Sequence, residues 1–350
     1  MKARTFLGFV APSVLAMVVL IALPLAGVIY LSLYQSHVKT ELIEVKTSVP
    51  VFGGLTQEKV DLVSRPVLDD SGRPVKVREF VGGRNLYQAA EIEQLGEIVS
   101  KPRTMVSLPE AIGSMYDDVT NLDFWSALEF TLLYTFGTTP FVLLIGFLLA
   151  LGVNRATERA KGTLIFVTLL PMIVTPVVSS LSVYWLFIDN AVVATLLQEL
   201  GFGRIYFLKD AWTIRLLILA YGVWFAAPFA FIILYAGLQG VPQESLEAAR
   251  VDGASRWQAI RLVTLPHLAP LFAVITLIHL MDSYRVFEPI LVFGSKVFAS
   301  SLQYLTFVVL SYEDNVHKAA AYALLTVLGV VVLLVPVLVR TWKEQGELKP

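Results

Sequence analysis

Six runs of about twenty or more mostly apolar residues govern what this 350-residue chain can fold into. They lie near 6–34, 127–153, 163–187, 213–238, 268–292 and 319–339. A helix needs roughly 20 apolar residues to cross a hydrocarbon core about 30 Å thick, where backbone polar groups find no partner but each other. No run alternates polar and apolar as a membrane β-strand would, which argues against a barrel. The chain therefore reads as an all-α polytopic membrane protein of six transmembrane helices.

Charge divides the chain further. Charged residues make up 16% of the sequence, against about 25% in ordinary soluble domains. Residues 35–126 hold 24 of the 55. That stretch reads as a water-exposed, mixed α/β insert between the first and second spans. Leu42–Val45 and Val75–Val77 look strand-like beside turn signals at Gly53-Gly54 and Asp70-Ser71-Gly72. Leu86–Val99 and Pro109–Tyr116 read as short helices. The expected organisation is 1–34 for the N-terminus and first span, 35–126 for the insert, and 127–350 for spans two to six. Two roles stay open for the insert: a dock or lid over a pathway, or a decorated loop.

Orientation follows from Lys and Arg in the short loops. With the N-terminus inside, the cytoplasmic side carries Lys2, Arg4, Arg155, Arg159, Lys161, Arg250, Arg256, Arg261, Arg340, Lys343 and Lys349. The outer side carries Arg204, Lys209, Arg215, Lys296 and Lys318. Both termini are thus expected in the cytoplasm and the insert outside. The first run follows Lys2 and Arg4 as a signal peptide would. It continues through Tyr30–Tyr34, however, and Pro24 spoils a cleavage site at Ala26, so it reads as an uncleaved anchor.

The net charge of −1 gives no reason to expect a nucleic-acid partner. Cysteine is absent, which excludes disulfides, thiolate nucleophiles and Cys-based metal sites. His37, His267, His279 and His317 are scattered and suggest no metal site. No Gly-x-x-x-x-Gly-Lys-Ser/Thr loop cradles a phosphate, and neither Gly-x-Ser-x-Gly nor His-Glu-x-x-His occurs.

The loop between spans four and five, 239–267, carries the most information. Pro242 suits a helix start, and Glu244 and Glu247 follow in the early turns, where negative charge is favoured. Asp252-Gly253 supplies a stop, and Ser255 can cap a second helix running to Pro266. Ala248 and Ala249 leave a small surface that another protein's backbone can approach closely. Read blandly, this is an ordinary re-entry loop between two spans.

The same stretch resembles the EAA loop of ATP-binding-cassette importer permeases. Glu247, Ala248, Ala249 and Gly253 match, nine residues follow, and then come Val263-Thr264-Leu265-Pro266, with valine where the family pattern has isoleucine. Three other stretches resemble the carbohydrate branch, the one handling maltose, related sugars and glycerol-3-phosphate. These are Phe124–Thr135, Tyr284–Gly294 and Phe80–Tyr87, though about 36 residues part the last from Phe124-Trp125 where the branch has them adjacent. The insert also departs from the family in length.

The resemblance implies a type I importer-like permease fold in a bacterial inner membrane. It implies a coupling helix in which Glu247, Ala248, Ala249, Arg250, Asp252, Gly253, Leu265 and Pro266 meet a cytoplasmic ATP-binding subunit dimer. It further implies a second six-span permease, an extracytoplasmic solute-binding protein, and a small sugar or sugar-like solute as cargo. This chain would need no cofactor and would be no enzyme. ATP and Mg would belong to the partner ATPase.

The fifth span holds His279, Asp282, Tyr284, Arg285 and Glu288. A charge inside the bilayer costs roughly 2.5–3.5 kcal/mol on insertion scales, so such residues face a cavity, a partner or the interface. Asp282, Tyr284, Arg285 and Glu288 are therefore candidates for the substrate path. Structural pairing of Asp282 with Arg285, or a place at the outer interface, is the other reading. Sugar sites use aromatic stacking, but for the aromatics near the span ends, among them Tyr30, Trp125, Trp185 and Trp212, an interfacial belt is the cheaper explanation. A self-contained secondary transporter would need internal repeats and an ion site. A membrane-embedded hydrolase would need a pair such as His279 and Ser283, four residues apart, together with an oxyanion site.

Overall fold

Apolar helices account for most of the chain, as the long hydrophobic runs require. A computed structural model describes residues 3–51, 55–101, 107–189, 191–203, 205–295 and 298–347. Lys2, Arg204, Lys296, Lys349 and the Gly53-Gly54 turn lie outside the described residues. Six helical stretches are long and apolar enough to cross a membrane: Val10–Leu33, Asp123–Asn154, Pro176–Glu199, Ala211–Gln239, Arg256–Ser283 and Val316–Val339.

Two of the expected spans have different bounds, and both breaks are followed by a proline in the first turn of a new helix. In place of one helix over 163–187, α7 (Glu158–Ile173) stops and α8 (Pro176–Phe187) begins afresh. Val174 and Thr175 are extended (ψ 138° and 148°), because a proline at 176 disfavours the helical conformation in the residue before it. The fifth span runs over Arg256–Ser283 instead of 268–292. It ends at Ser283, Phe287 leaves the helical conformation (φ −140°), and Pro289 sits in the first turn of a new helix, where its missing N–H costs nothing. A short helix, Glu288–Phe293, follows the turn. Its other end begins early because the helix does not stop at Pro266.

The chain forms two compact units, residues 1–89 with 313–324 and residues 90–312 with 325–350. In the first, the initial span leads into a strand, Tyr34–Val38, paired antiparallel with Lys76–Phe80. A long hairpin, Thr40–Val51 with Leu55–Pro66, lies between them in sequence. The Asn85 amide donates to the Ser32 and Tyr34 carbonyls (3.0 and 2.8 Å) and so fixes the end of the span. The stretch 35–126, expected as one insert, is shared: its strands belong to the first unit, and its helices Ile92–Ser100 and Leu108–Thr120 to the second.

The second unit is built on α6 (Asp123–Asn154) and α10 (Ala211–Gln239), packed along their length. At one end Phe130, Ile214, Ile218, Ile290 and Phe293 form an apolar cluster. Toward the 239–267 loop a second cluster holds Val142, Ala150, Phe231, Leu234, Leu268 and Ile275. Gly146 of α6 lets α10 come close: a Cβ there would stand 2.6 Å from the Ala230 Cβ and 3.0 Å from the Phe231 nitrogen. Burial of apolar area does not bring helices together inside lipid, so close packing carries the association.

Candidate functional site

Two places in the second unit carry the chemistry that the sequence singled out. The first is the 239–267 loop. A helix runs over Gln243–Val251, with Pro242 extended just before it rather than inside its first turn. Glu244 lies in the first turn and Arg250 in the last, each matched to the helix dipole.

The helix closes by a Schellman arrangement. Gly253 adopts φ +80°, its N–H donates to the Arg250 carbonyl (3.0 Å), and the Ala254 N–H donates to the Ala249 carbonyl (2.9 Å). Glycine takes this left-handed conformation without the steric cost a Cβ brings. Ser255 then opens the next helix through a capping box. Its hydroxyl accepts from the Gln258 N–H (3.3 Å), and the Gln258 side chain accepts from the Ser255 N–H (2.7 Å).

This second helix passes through Pro266 and becomes the fifth span. Pro266 has no N–H to give the carbonyl at 262, and its ring would strike it. A π-turn over Ile260–Thr264 absorbs the misfit: the Leu265 N–H reaches back five residues to the Ile260 carbonyl. The first span uses the same device ahead of Pro24, where the Leu23 N–H bonds the Val18 carbonyl. The expected stop at Pro266 is therefore a register shift inside a continuous helix.

Leu246, Ala249 and Leu265 are half-buried, and Leu246 and Leu265 pack against the nearer apolar cluster. Glu247, Ala248, Arg250, Asp252, Gly253 and Pro266 are exposed. So are three bulky apolar side chains that the motif does not include: Val251 (87%), Trp257 (64%) and Leu262 (67%). Motif spacing could not have found them. Only the pairing of the two helices decides which way they face.

The second place is a cleft of about 350 Å³ at the other end of the fifth span. Asp282, Arg285 and Glu288 line it together with Tyr221, His279 and Gln303. Asp282 and Arg285 pair at 3.6 Å, both well exposed. The His279 ring is buried, with Nε2 3.1 Å from the Thr138 hydroxyl. The Tyr221 hydroxyl donates to the Pro176 carbonyl (3.0 Å) and lies 2.7 Å from the Ser179 hydroxyl, so this phenol ties α10 to the restart of the broken third span.

Tyr284 does not join Asp282, Arg285 and Glu288. It is 2% exposed, and its phenol rests against Gly329 of the last helix, where a Cβ would collide with it. The Ser283 hydroxyl donates to the Leu280 carbonyl (3.4 Å) and not to His279, so that pair forms no nucleophile and base. Among the described residues, no group of three or more His, Asp or Glu side chains is placed to hold a metal ion.

Residues 124–345 match the family described as binding-protein-dependent transport system inner membrane component. A probable ATP-binding-cassette transporter permease of Sinorhizobium fredii is 33% identical over 159 residues, 44% of this chain and 50% of that protein. The trehalose transport system permease of Mycobacterium tuberculosis is 30% identical over 181 residues, 52% of this chain and 58% of that one. The trehalose/maltose transport system permease of Thermococcus litoralis is 30% identical over 173 residues, 49% and 58% of the two chains. The chain thus spans about half the length of the curated relatives it matches. In fold it is similar to a chain of a bacterial transporter that imports the acidic polysaccharide alginate. The TM-score is 0.58 at 22% identity, covering 72% of this chain and 89% of that one.

Proposed function

The chain belongs to the family of binding-protein-dependent transport system inner membrane components, and from that premise we propose that it is the permease subunit of an ATP-driven importer for a sugar or sugar-like solute. The observation that carries the proposal is the exposed helix, glycine elbow and capped helix of 243–264. Its outward surface holds Glu247, Ala248, Val251 and Trp257. Exposed apolar side chains flanking a small, charged helix suit a groove on another protein. That protein is proposed to be one subunit of a cytoplasmic ATPase dimer, with ATP and Mg bound there.

The two halves of the site then have separate duties. The 242–252 segment receives the ATPase's motion. The helix that begins at Ser255 runs on through Pro266 to Asp282 without a stop, so displacement at the elbow is carried to the charged cleft as movement of one rod. Asp282, Arg285 and Glu288 would meet the solute's hydroxyls in a path completed by a second six-span permease. Sugar cargo is supported by the trehalose and maltose permeases among the relatives. A solute-binding protein would deliver it from outside, with both termini of this chain in the cytoplasm of a bacterial inner membrane.

The test is purification of the tagged chain from native membranes in mild detergent, with mass spectrometry of all that co-elutes. Recovery of an ATPase with a phosphate-binding loop and of a second six-span permease is expected. Elution of the chain alone across all detergent concentrations would sink the proposal.

A further inference from the structure

Between the coupling loop and the end of α6 lies a cleft of about 580 Å³ that shares Arg250 and Arg256 with the proposed docking element but also takes in Leu151, Asn154 and Arg155, which the transport reading does not use. It sits where the last turn of α6 meets the end of α10 and the start of the fifth span. Its floor is apolar, built from Leu151, Leu238, Val241, Leu246 and Ile260. Arg155, Arg250 and Arg256 line it from three different segments, together with Asn154, whose Oδ1 accepts from Gln239 (2.9 Å), and Gln243. No carboxylate lines it. Glu244 and Glu247, on the same helix as Arg250, do not reach the cleft, and among the described residues none of the three guanidinium groups has an ion pair.

Three arginines on one cleft repel each other and gain from any anion that enters. Guanidinium groups match phosphate oxygens in a two-pronged geometry that a lysine cannot copy. The cleft is also amphipathic, cationic at its rim and greasy at its floor, and it opens at the ends of three candidate spans. A small free anion would use only the rim. A phospholipid would use both, with its phosphodiester against the arginines and the first part of its acyl chains on Leu151, Leu238 and Ile260. Basic pockets between helix ends on the cytoplasmic side are a recurring form of anionic-lipid recognition.

We propose that this cleft binds the phosphate headgroup of an anionic phospholipid of the inner leaflet. The occupant would wedge between α6 and the coupling helix, next to the π-turn, and so bias the elbow through which coupling passes.

The experiment uses the assembled transporter, extracted with its native lipids and washed in mild detergent. Retained phosphatidylglycerol and neutral phospholipid are counted by mass spectrometry for the wild type and for an Arg155→Gln, Arg256→Gln double variant. Arg250 is left intact because it lies on the coupling helix itself; Arg256 belongs to the capped helix beyond the elbow, so co-eluting ATPase is measured beside lipid for each variant. Each arginine near an anionic headgroup contributes about fivefold in affinity, so retained phosphatidylglycerol should fall about 25-fold in the double variant, with neutral lipid unchanged. Equal retention of the two lipid classes by the wild type, or unchanged phosphatidylglycerol in the variant, would overturn the proposal. So would full displacement of the lipid by millimolar inorganic phosphate, which would make the cleft a phosphate site. Loss of the co-eluting ATPase with lipid retention intact would assign the arginines to an acidic protein surface instead. Should the double variant fail to assemble, the wild type answers alone: its retained phosphatidylglycerol should drop as the wash is raised in NaCl, and a flat response would refute lipid binding at the arginines.

Discussion

Arg215 and Glu129 join the second and fourth spans, Nη2 to Oε2 at 3.4 Å, with each side chain about three-quarters buried. Arg215 also donates from Nε to the Phe298 carbonyl (2.7 Å), and its guanidinium lies 5.8 Å from the centre of the Phe130 ring. The Tyr116 hydroxyl donates to Glu129 (3.3 Å), and burial together with that carboxylate pushes the phenol above its ordinary pKa. One guanidinium thus braces α6, α10 and the loop that follows the fifth span. Removing one partner leaves a mostly buried charge. After discounting for the residual exposure, Glu129→Ala should cost about 1–3 kcal/mol. Glu129→Gln should cost less, since its amide oxygen still accepts. Detergent melting temperatures check this, and equal melting of wild type and Glu129→Ala would refute the brace.

Gly253 is predicted to matter for coupling and not for insertion. A Cβ in its left-handed conformation costs about 1–2 kcal/mol, more for a branched side chain. Asparagine visits this region readily. ATPase retention and uptake should therefore fall in the order glycine, asparagine, alanine, valine at this position, with membrane levels of the chain unchanged. Full uptake with Gly253→Val would remove the elbow from the mechanism.

Much of the loop was legible because its geometry is local. Ser255 and Gln258 sit three apart, as a capping box requires, and Gly253 follows the last helical turn. The span bounds were less legible where proline acts in two different ways. Pro176 breaks a helix because Val174 and Thr175 turn extended before it, whereas Pro266 and Pro24 are absorbed by π-turns. The residue type is the same in all three, and the surroundings decide which outcome results. Tyr284 illustrates the other limit. Its place in sequence puts it among Asp282, Arg285 and Glu288, but Gly329, 45 positions away, supplies the space that turns it inward. No local pattern could report that contact.

Asp69 organises a tight turn in the first unit. Its Oδ1 accepts from the Ser71 hydroxyl (2.6 Å), the Ser71 N–H (2.9 Å) and the Arg73 N–H (2.8 Å). The Ser71 hydroxyl bond, then the Arg73 N–H, hold the carboxyl below its ordinary pKa. The folded value lies below the unfolded one, so the turn's stabilisation is complete above the ordinary carboxylate pKa, about 3.9, and is lost as pH falls through the lower folded value. Asp69→Ala should speed amide exchange at Ser71 and Arg73 severalfold at neutral pH, without reaching the Tyr34–Val38 strand. Hydrogen-exchange mass spectrometry reads this, and unchanged exchange at Ser71 would show that the backbone alone holds the turn.

The charged cleft separates a transport role from a structural one. Asp282 and Arg285 are mostly exposed, and such a pair contributes at most about 1 kcal/mol to stability. Hydrogen bonds from a solute to charged groups are worth about 1.5–3 kcal/mol, which is a tenfold or larger effect on affinity. Asp282→Asn, Arg285→Gln and Glu288→Gln should therefore leave the melting temperature nearly unchanged and lower solute uptake about tenfold each. Tyr284→Phe gives the contrast: the phenol is buried against Gly329 and away from the cleft, so uptake should be unaffected. Uptake that survives all three cleft substitutions would place Asp282, Arg285 and Glu288 at an interface with lipid or with the second permease. Uptake that falls only with Tyr284→Phe would mean that the fifth span rotates during transport and brings the phenol to the solute.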